Sequence, residues 1–258
     1  NLLIVANMTV MKKNCHLTLD DPHKYLTLKS DEIHIWRASS DLLSTEIERL
    51  EQSLSDDELK RAYRFVFMKD RNRFIAGRGI LRAILGLYLK KEPGQLRFYY
   101  SLNGKPELIG ENSDEELNFN VSYSNYHILY AVSLNRRIGV DIEFIHPDFA
   151  DEQIVKGFFS IQEADKFLSL PKKIRKEAFF TCWTRKEAYL KATGKGITSG
   201  MDQFVVSLIP GEPAELIPIK INPEETSNFW LEDLNMGQGY KAALAVEGSR
   251  CKIKYRQC

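Results

Sequence analysis

Apolar and polar residues alternate along Glu32-Ile-His-Ile-Trp-Arg-Ala, with Ile33, Ile35 and Arg37 on one side and His34 and Trp36 on the other. A period of two predicts a strand. Residues 1–30 show no clean period and are expected to form an N-terminal extension docked on the body. Ser55-Asp-Asp-Glu58 has the capping-box pattern, with acids in the first turn where the helix dipole favours them. It predicts a helix running through Leu59, Ala62, Tyr63 and Val66. A second helix is predicted over 70–90, with the stripe Phe74, Gly77, Leu81, Ile84, Leu85 and Tyr88 at spacings of three and four. Gly77 and Gly79 each cost about 1 kcal/mol of helix propensity relative to Ala, which implies close packing or close backbone approach there. Pro93-Gly94 ends that helix. Residues 96–101 then read as a strand, 103–106 as a tight turn and 110–118 as an acidic loop.

Residues 119–124 lead into a hairpin of 128–133 and 138–145, turning at Asn135-Arg-Arg137. Helices are predicted over 151–159, 161–170 and 172–193, and strands over 203–208, 215–221, 227–234 and 240–246. Each half is helices followed by strands. The expectation is an α+β chain of two similar lobes, 31–134 and 135–258 after the extension 1–30.

At 258 residues the chain spans between one and two domains of ordinary size and can bury a core without disulfide or metal staples. Lys and Arg total 36 against 35 Asp and Glu, which argues against a protein that coats nucleic acid or an anionic membrane. Any anionic ligand must therefore meet a local cluster of cations. Cys15, Cys182, Cys251 and Cys258 have no CxxC spacing and read as free thiols in a reducing, cytoplasmic setting. His16, His23, His34, His127 and His146 make no HExxH or HxH pair, so a histidine metal site is not expected. No apolar run is long enough to span a membrane. Lys12 and Lys13 follow the mildly apolar start instead of preceding it, the wrong order for a signal peptide.

Two segments carry candidate chemistry. In Gly139-Val-Asp141-Ile-Glu143, Asp141 and Glu143 share one face of a strand, with Val140 and Ile142 behind them. The same alternation also suits the solvated face of an edge hairpin. In the helix after Trp183, Glu187 and Lys191 follow at i+4 and i+8. An exposed Glu–Lys pair would look the same, but Phe179, Phe180, Cys182 and Trp183 set this helix against the core. Taken together, Asp141, Glu143 and Glu187 are three hard oxygen donors, a set that suits Mg²⁺ shared with substrate phosphates. A lysine one turn away could neutralise charge on a leaving phosphate.

GVDIE followed some forty residues later by WTRKEAYLKATGKG resembles the 4′-phosphopantetheinyl transferases, in particular the two-lobed class that activates peptide-synthetase carriers. Phe119-Asn-Val-Ser-Tyr-Ser, Gly104-Lys-Pro106 and the cyanobacterial-like stretch Arg73-Phe-Ile-Ala-Gly-Arg-Gly-Ile-Leu-Arg82 extend the likeness over about residues 31–248. The resemblance implies a pseudo-twofold pair of α/β lobes with the active site in the cleft between them. It implies transfer of the phosphopantetheine arm of coenzyme A to a serine of an apo acyl or peptidyl carrier protein by a monomer, releasing adenosine 3′,5′-bisphosphate. Asp141, Glu143 and Glu187 would hold Mg²⁺, Glu187 would take the serine proton and Lys191 would stabilise the departing phosphate. Arg61, Lys105, Asn120, Ser122 and Tyr123 fall where the family contacts coenzyme A.

Arg61 also suits a solvated position on an amphipathic helix, and Lys105 an exposed turn. Arg71, Arg78 and Arg82 read as a solvated stripe, and Trp183 and Lys186 as packing and ion-pairing residues. Tyr123 replaces the motif's histidine, which leaves open a coenzyme A-binding protein without transferase activity. An unrelated Mg²⁺-dependent phosphohydrolase is a further alternative.

Overall fold

The computed structural model describes residues 25–101, 104–109, 116–146, 152–196, 200–219 and 223–258, without the side chain of residue 225. The first half runs β1 (Glu32–Ser39), α1 (Ser44–Glu51), α2 (Asp56–Ala62), α3 (Met68–Leu89), β2 (Phe98–Tyr100), β3 (Pro106–Leu108), β4 (Leu117–Ser124) and β5 (His127–Leu134). The second runs β6 (Ile138–Phe144), α4 (Glu152–Phe158), α5 (Ile161–Ser169), α6 (Lys172–Thr193), β7 (Phe204–Val206), β8 (Leu216–Pro218), α7 (Pro223–Ser227), β9 (Phe229–Asp233), β10 (Tyr240–Glu247) and β11 (Lys252–Gln257).

Period-two patterning builds four layers. One sheet has the order β11-β1-β5-β4 and the other β6-β10-β9. Ile33, Ile35, Leu129 and Ala131 of the first meet Val140, Ile142, Leu244 and Val246 of the second in a buried seam. The alternate residues face outward. Trp36, Ile128, Tyr130 and Val132 receive Ile80, Leu81 and Ile84 of α3, while Leu231, Ala243 and Ala245 receive Ala188, Tyr189 and Ala192 of α6. Each lobe is thus one long helix on one sheet, and the sheets pack face to face.

The sheets also meet edge to edge, at β4 and β6, through side chains. Val140 N–H donates to Asn120 Oδ1 (2.9 Å), Ile142 N–H to Ser122 Oγ (3.3 Å) and Phe144 N–H to Ser124 Oγ (2.7 Å). Three polar side chains on one face of β4 therefore satisfy backbone donors that a neighbouring strand would otherwise have taken. At Gly139 a β-carbon would lie 2.0 Å from the Ala188 carbonyl oxygen, so only glycine admits α6 this close to β6. That approach brings the carboxylates of β6 under the helix.

Several expectations shift in detail. The capping box forms, with Ser55 N–H donating to Glu58 Oε2 (3.1 Å). However, α2 stops at Ala62 because Ala62 packs on Ile75 and Ala76, and the chain must reverse to reach α3. Val66, Phe67 and Met68 are left exposed. Gly79 admits Leu50 of α1, a helix the sequence did not announce. Strand begins at Leu117, inside the expected acidic loop, and residues 223–227 are helical. β11 runs parallel to β1, so the last segment of the second half completes the sheet of the first. Most of the expected extension lies outside the described residues, though Leu28 is buried against the first lobe. Among the described residues no helix is long and apolar enough to cross a membrane.

Candidate active site

A cavity of about 710 Å³ opens between the N-terminal half of α3, β4, the turn before β3 and the C-terminal half of α6. Arg61, Arg73, Arg78, Lys105, Lys191 and Lys195 line it, against only Asp70 and Glu187. In a chain of net charge +1, this concentration of cations marks a site for a polyanion.

At the α6 end, Lys191 Nζ donates to Asp141 Oδ1 (2.6 Å), Ser122 Oγ (3.1 Å) and the Val140 carbonyl (3.3 Å). Ser122 Oγ donates to the same Asp141 Oδ1 (2.8 Å). With Ile142 N–H also arriving, the Ser122 hydroxyl is engaged on every side and does not line the cavity. It holds Asp141 and Lys191 in register. Asp141 is only 2 % exposed, and its other oxygen, Oδ2, has no hydrogen-bond partner. Glu187, 5 % exposed, likewise has a buried, unpartnered Oε1. Burial, and then the charge of Asp141, push the Glu187 carboxyl up to about 7. The same two causes raise Glu143 to about 7, opposed by a hydrogen bond from Ser124 Oγ (3.2 Å).

Among the described residues no set of three acidic, His or Cys side chains forms a metal cage on its own. The donor chemistry nonetheless fits Mg²⁺, which uses one or two carboxylates and fills its remaining positions with water and substrate phosphate. The two orphaned carboxylate oxygens are what such an ion would satisfy.

Lys105 reaches across from the first lobe and donates to the Lys191 carbonyl (3.0 Å), with its pKa lowered by burial. Its exposed-turn reading does not hold. Arg61, an exposed residue, stacks over Phe74 (5.4 Å) and Tyr100 (5.9 Å) at the cavity wall. Asn120 lines the cavity while its Oδ1 serves β6. The Tyr123 ring lies under the Arg73 guanidinium (5.6 Å), and its hydroxyl occupies the place of a β-carbon on Gly77, which explains that glycine. Burial pushes the Tyr123 hydroxyl up to about 12, so it stays neutral. Arg61, Lys105, Asn120, Tyr123, Glu187 and Lys191 thus share one cavity, Ser122 and Asp141 stand directly behind Lys191, and Glu143 lies one β-repeat beyond.

The solvated stripe is corrected. Arg78 and Arg82 are 6 % and 1 % exposed, because Glu58, buried at the start of α2, pairs with both. Arg71 is half-buried over Tyr63. The signal was available: Arg78, Leu81, Arg82 and Leu85 fall at i, i+3, i+4 and i+7, which puts the arginines on the apolar face. Lys186 does pair inside the core, with Glu163 (2.8 Å) and the carbonyls of Met201 and Phe204.

Comparison with known proteins agrees with this architecture. The 4′-phosphopantetheinyl transferase superfamily profile matches residues 137–245, and the profile of the N-terminal part of 4′-phosphopantetheinyl transferase matches 34–134. The chain is 44 % identical over 231 residues to the 4′-phosphopantetheinyl transferase HetI of Nostoc sp., covering 89 % of this chain and 94 % of that one. It is 34 % identical over 163 residues to the transferase psf-1 of Bacillus pumilus, covering 63 % and 67 %. It is 28 % identical over 205 residues to the transferase Sfp of Bacillus subtilis, covering 80 % and 87 %. With both lobes matched in order and a long relative aligned nearly end to end, the chain belongs to the 4′-phosphopantetheinyl transferase superfamily.

Proposed function

We propose that this enzyme moves the phosphopantetheine arm of coenzyme A onto a serine hydroxyl of an apo acyl or peptidyl carrier protein, releasing adenosine 3′,5′-bisphosphate. The observation that carries the reading is the cluster of Asp141, Glu187 and Lys191 at one end of a cavity whose other charged lining residues, Asp70 apart, are all cationic. Arg61, Lys105, Asn120 and Tyr123 would hold the nucleotide and diphosphate, with the arginines of the α2–α3 wall able to meet phosphate oxygens in pairs. Ser122 acts on the substrate through Lys191 and Asp141, which it orients.

The carrier serine oxygen forms a bond to the phosphorus that carries the pantetheine arm, and the bond from that phosphorus to the bisphosphate oxygen breaks. Glu187, a buried carboxylate one turn from Lys191, takes the serine proton directly or through one water. Lys191 faces the leaving oxygens and offsets the charge that grows on them. Asp141 and Glu187 would hold Mg²⁺, with Glu143 one β-repeat behind them, and the ion when bound would neutralise charge on the diphosphate. Both walls of the cavity belong to one chain, which suits a monomer. The thiols of Cys182 and Cys251, outside any disulfide among the described residues, suit a reducing cytoplasm.

The test is incubation with coenzyme A, Mg²⁺ and a panel of apo carriers, read by intact mass. A carrier heavier by one phosphopantetheine supports the reading. Coenzyme A bound with no carrier modified overturns it.

A further inference from the structure

Two arginines one turn apart on α3 share the buried carboxylate of Glu58, and they use it differently. Arg82 is tied down: Nε donates to Glu58 Oε2 (2.7 Å), and Nη1 to the carbonyls of Pro93 (2.9 Å) and Leu96 (3.0 Å). It ties α2 and α3 to the turn that leads into β2, and it does not line the cavity. Arg78 does line it. Its Nε sits 3.0 Å from Glu58 Oε1, its Nη2 donates to Tyr100 Oη, and its guanidinium lies over the ring of Phe98 (5.3 Å). Nη1 has no hydrogen bond among the described residues.

One carboxylate facing two guanidinium groups leaves a net positive charge in a buried cluster, and a buried charge without a partner is costly. Tyr123, the neighbour across the cavity, is neutral and cannot compensate. The open donor, the surplus charge and the position in the wall all call for an anion.

We propose that Arg78 is a further substrate-binding residue of this site, a guanidinium held by Glu58 and Tyr100 to receive a phosphate group of coenzyme A. The inference rests on the functional reading above, which supplies the ligand. The 3′-phosphate on the ribose and the diphosphate that joins the ribose to the pantetheine arm share this chemistry, and dephospho-coenzyme A separates them.

Calorimetric titration of the parent, Arg78→Gln and Arg78→Lys with coenzyme A and with dephospho-coenzyme A, with Mg²⁺ and without carrier, tests it. A lost charge-assisted contact weakens binding by about tenfold to a hundredfold in Arg78→Gln. Arg78→Lys, which keeps the charge, recovers part of the loss. With carrier present, KM for coenzyme A rises and kcat at saturation holds, whereas general loosening of the site would lower both. A loss seen with coenzyme A alone assigns the 3′-phosphate; a loss with both ligands assigns the diphosphate. A folded Arg78→Gln that binds both ligands within twofold of the parent overturns the inference while leaving the transferase reading intact. A parent that binds neither ligand overturns both. Should Arg78→Gln fail to fold, the parent carrying ¹⁵N-labelled arginine decides. The Arg78 side-chain resonance, assigned by its absence in Arg78→Lys, must shift on addition of coenzyme A, and a resonance that stays in place overturns the inference.

Discussion

Replacing Glu187 by glutamine should stabilise the metal-free protein at pH 8 while abolishing transfer. The Glu187 carboxyl is raised from 4.5 to about 7, first by burial and then by Asp141, against the opposing pull of Lys191. In the unfolded chain the same carboxyl meets water and ionises near its ordinary value. Between pH 4.5 and 7 the folded protein therefore keeps a proton that the unfolded chain has released. The cost to stability is absent below that window, grows through it and is constant above. At pH 8 it reaches at most about 3 kcal/mol. Glutamine has nearly the same shape and carries no charge, so it escapes the cost. In a protein of this size such a gain corresponds to several degrees in Tm. The assay is thermal or urea unfolding in chelator at pH 5 and pH 8, repeated with Mg²⁺ at pH 8. The variant should gain most at pH 8 and little at pH 5. The parent should gain from Mg²⁺ at pH 8, and the variant much less. A variant no more stable than the parent at pH 8 in chelator, or equally stabilised at both pH values, would refute the reasoning.

Lys191→Ala should lower kcat by about a hundredfold or more with a smaller change in KM, because the charge it faces grows in the transition state; steady-state kinetics with varied coenzyme A decide, and a pure KM effect counts against the role. Gly77→Ala should destabilise by about 1–3 kcal/mol, since its new β-carbon would lie 2.2 Å from the Tyr123 hydroxyl. Tyr123→Ala in the same chain should recover part of that loss in urea melts. Glu163→Ala should cost about 3–5 kcal/mol by stranding the fully buried ammonium of Lys186, and adding Lys186→Met should restore much of it.

The long elements were legible because their signals are local. The capping box at Ser55 forms with the reciprocal Glu58 bond, and the second helix runs where its stripe of three and four spacings placed it. The period-two run 138–144 is a strand with Asp141 and Glu143 on one side. Short elements were misjudged where burial decided them. α1 exists because Ile47 and Leu50 pack on α3, and β11 exists because β1 offered it an edge. Neither fact is written in the few residues concerned.

The candidate residues were legible as types at spacings. Two carboxylates two apart on a strand, and a glutamate and a lysine one turn apart on a helix, needed no structure to be noticed. What each one touches did need it. Ser122 turned from a contact into a brace, because β4 and β6 meet through side chains and its hydroxyl is consumed there. Arg78 and Arg82 turned from a solvated stripe into a buried cluster, because Glu58, twenty and twenty-four residues away in sequence, lies within ion-pairing distance of both in space.

Sequence alone determined the class of chemistry, since side-chain type and helical or strand period are properties of neighbouring residues. Tertiary structure decided the electrostatics. Burial and a neighbouring Asp141 raise the proton affinity of Glu187 against the pull of Lys191 one turn on, and the burial and the Asp141 contact are properties of packing between segments that the chain order keeps apart.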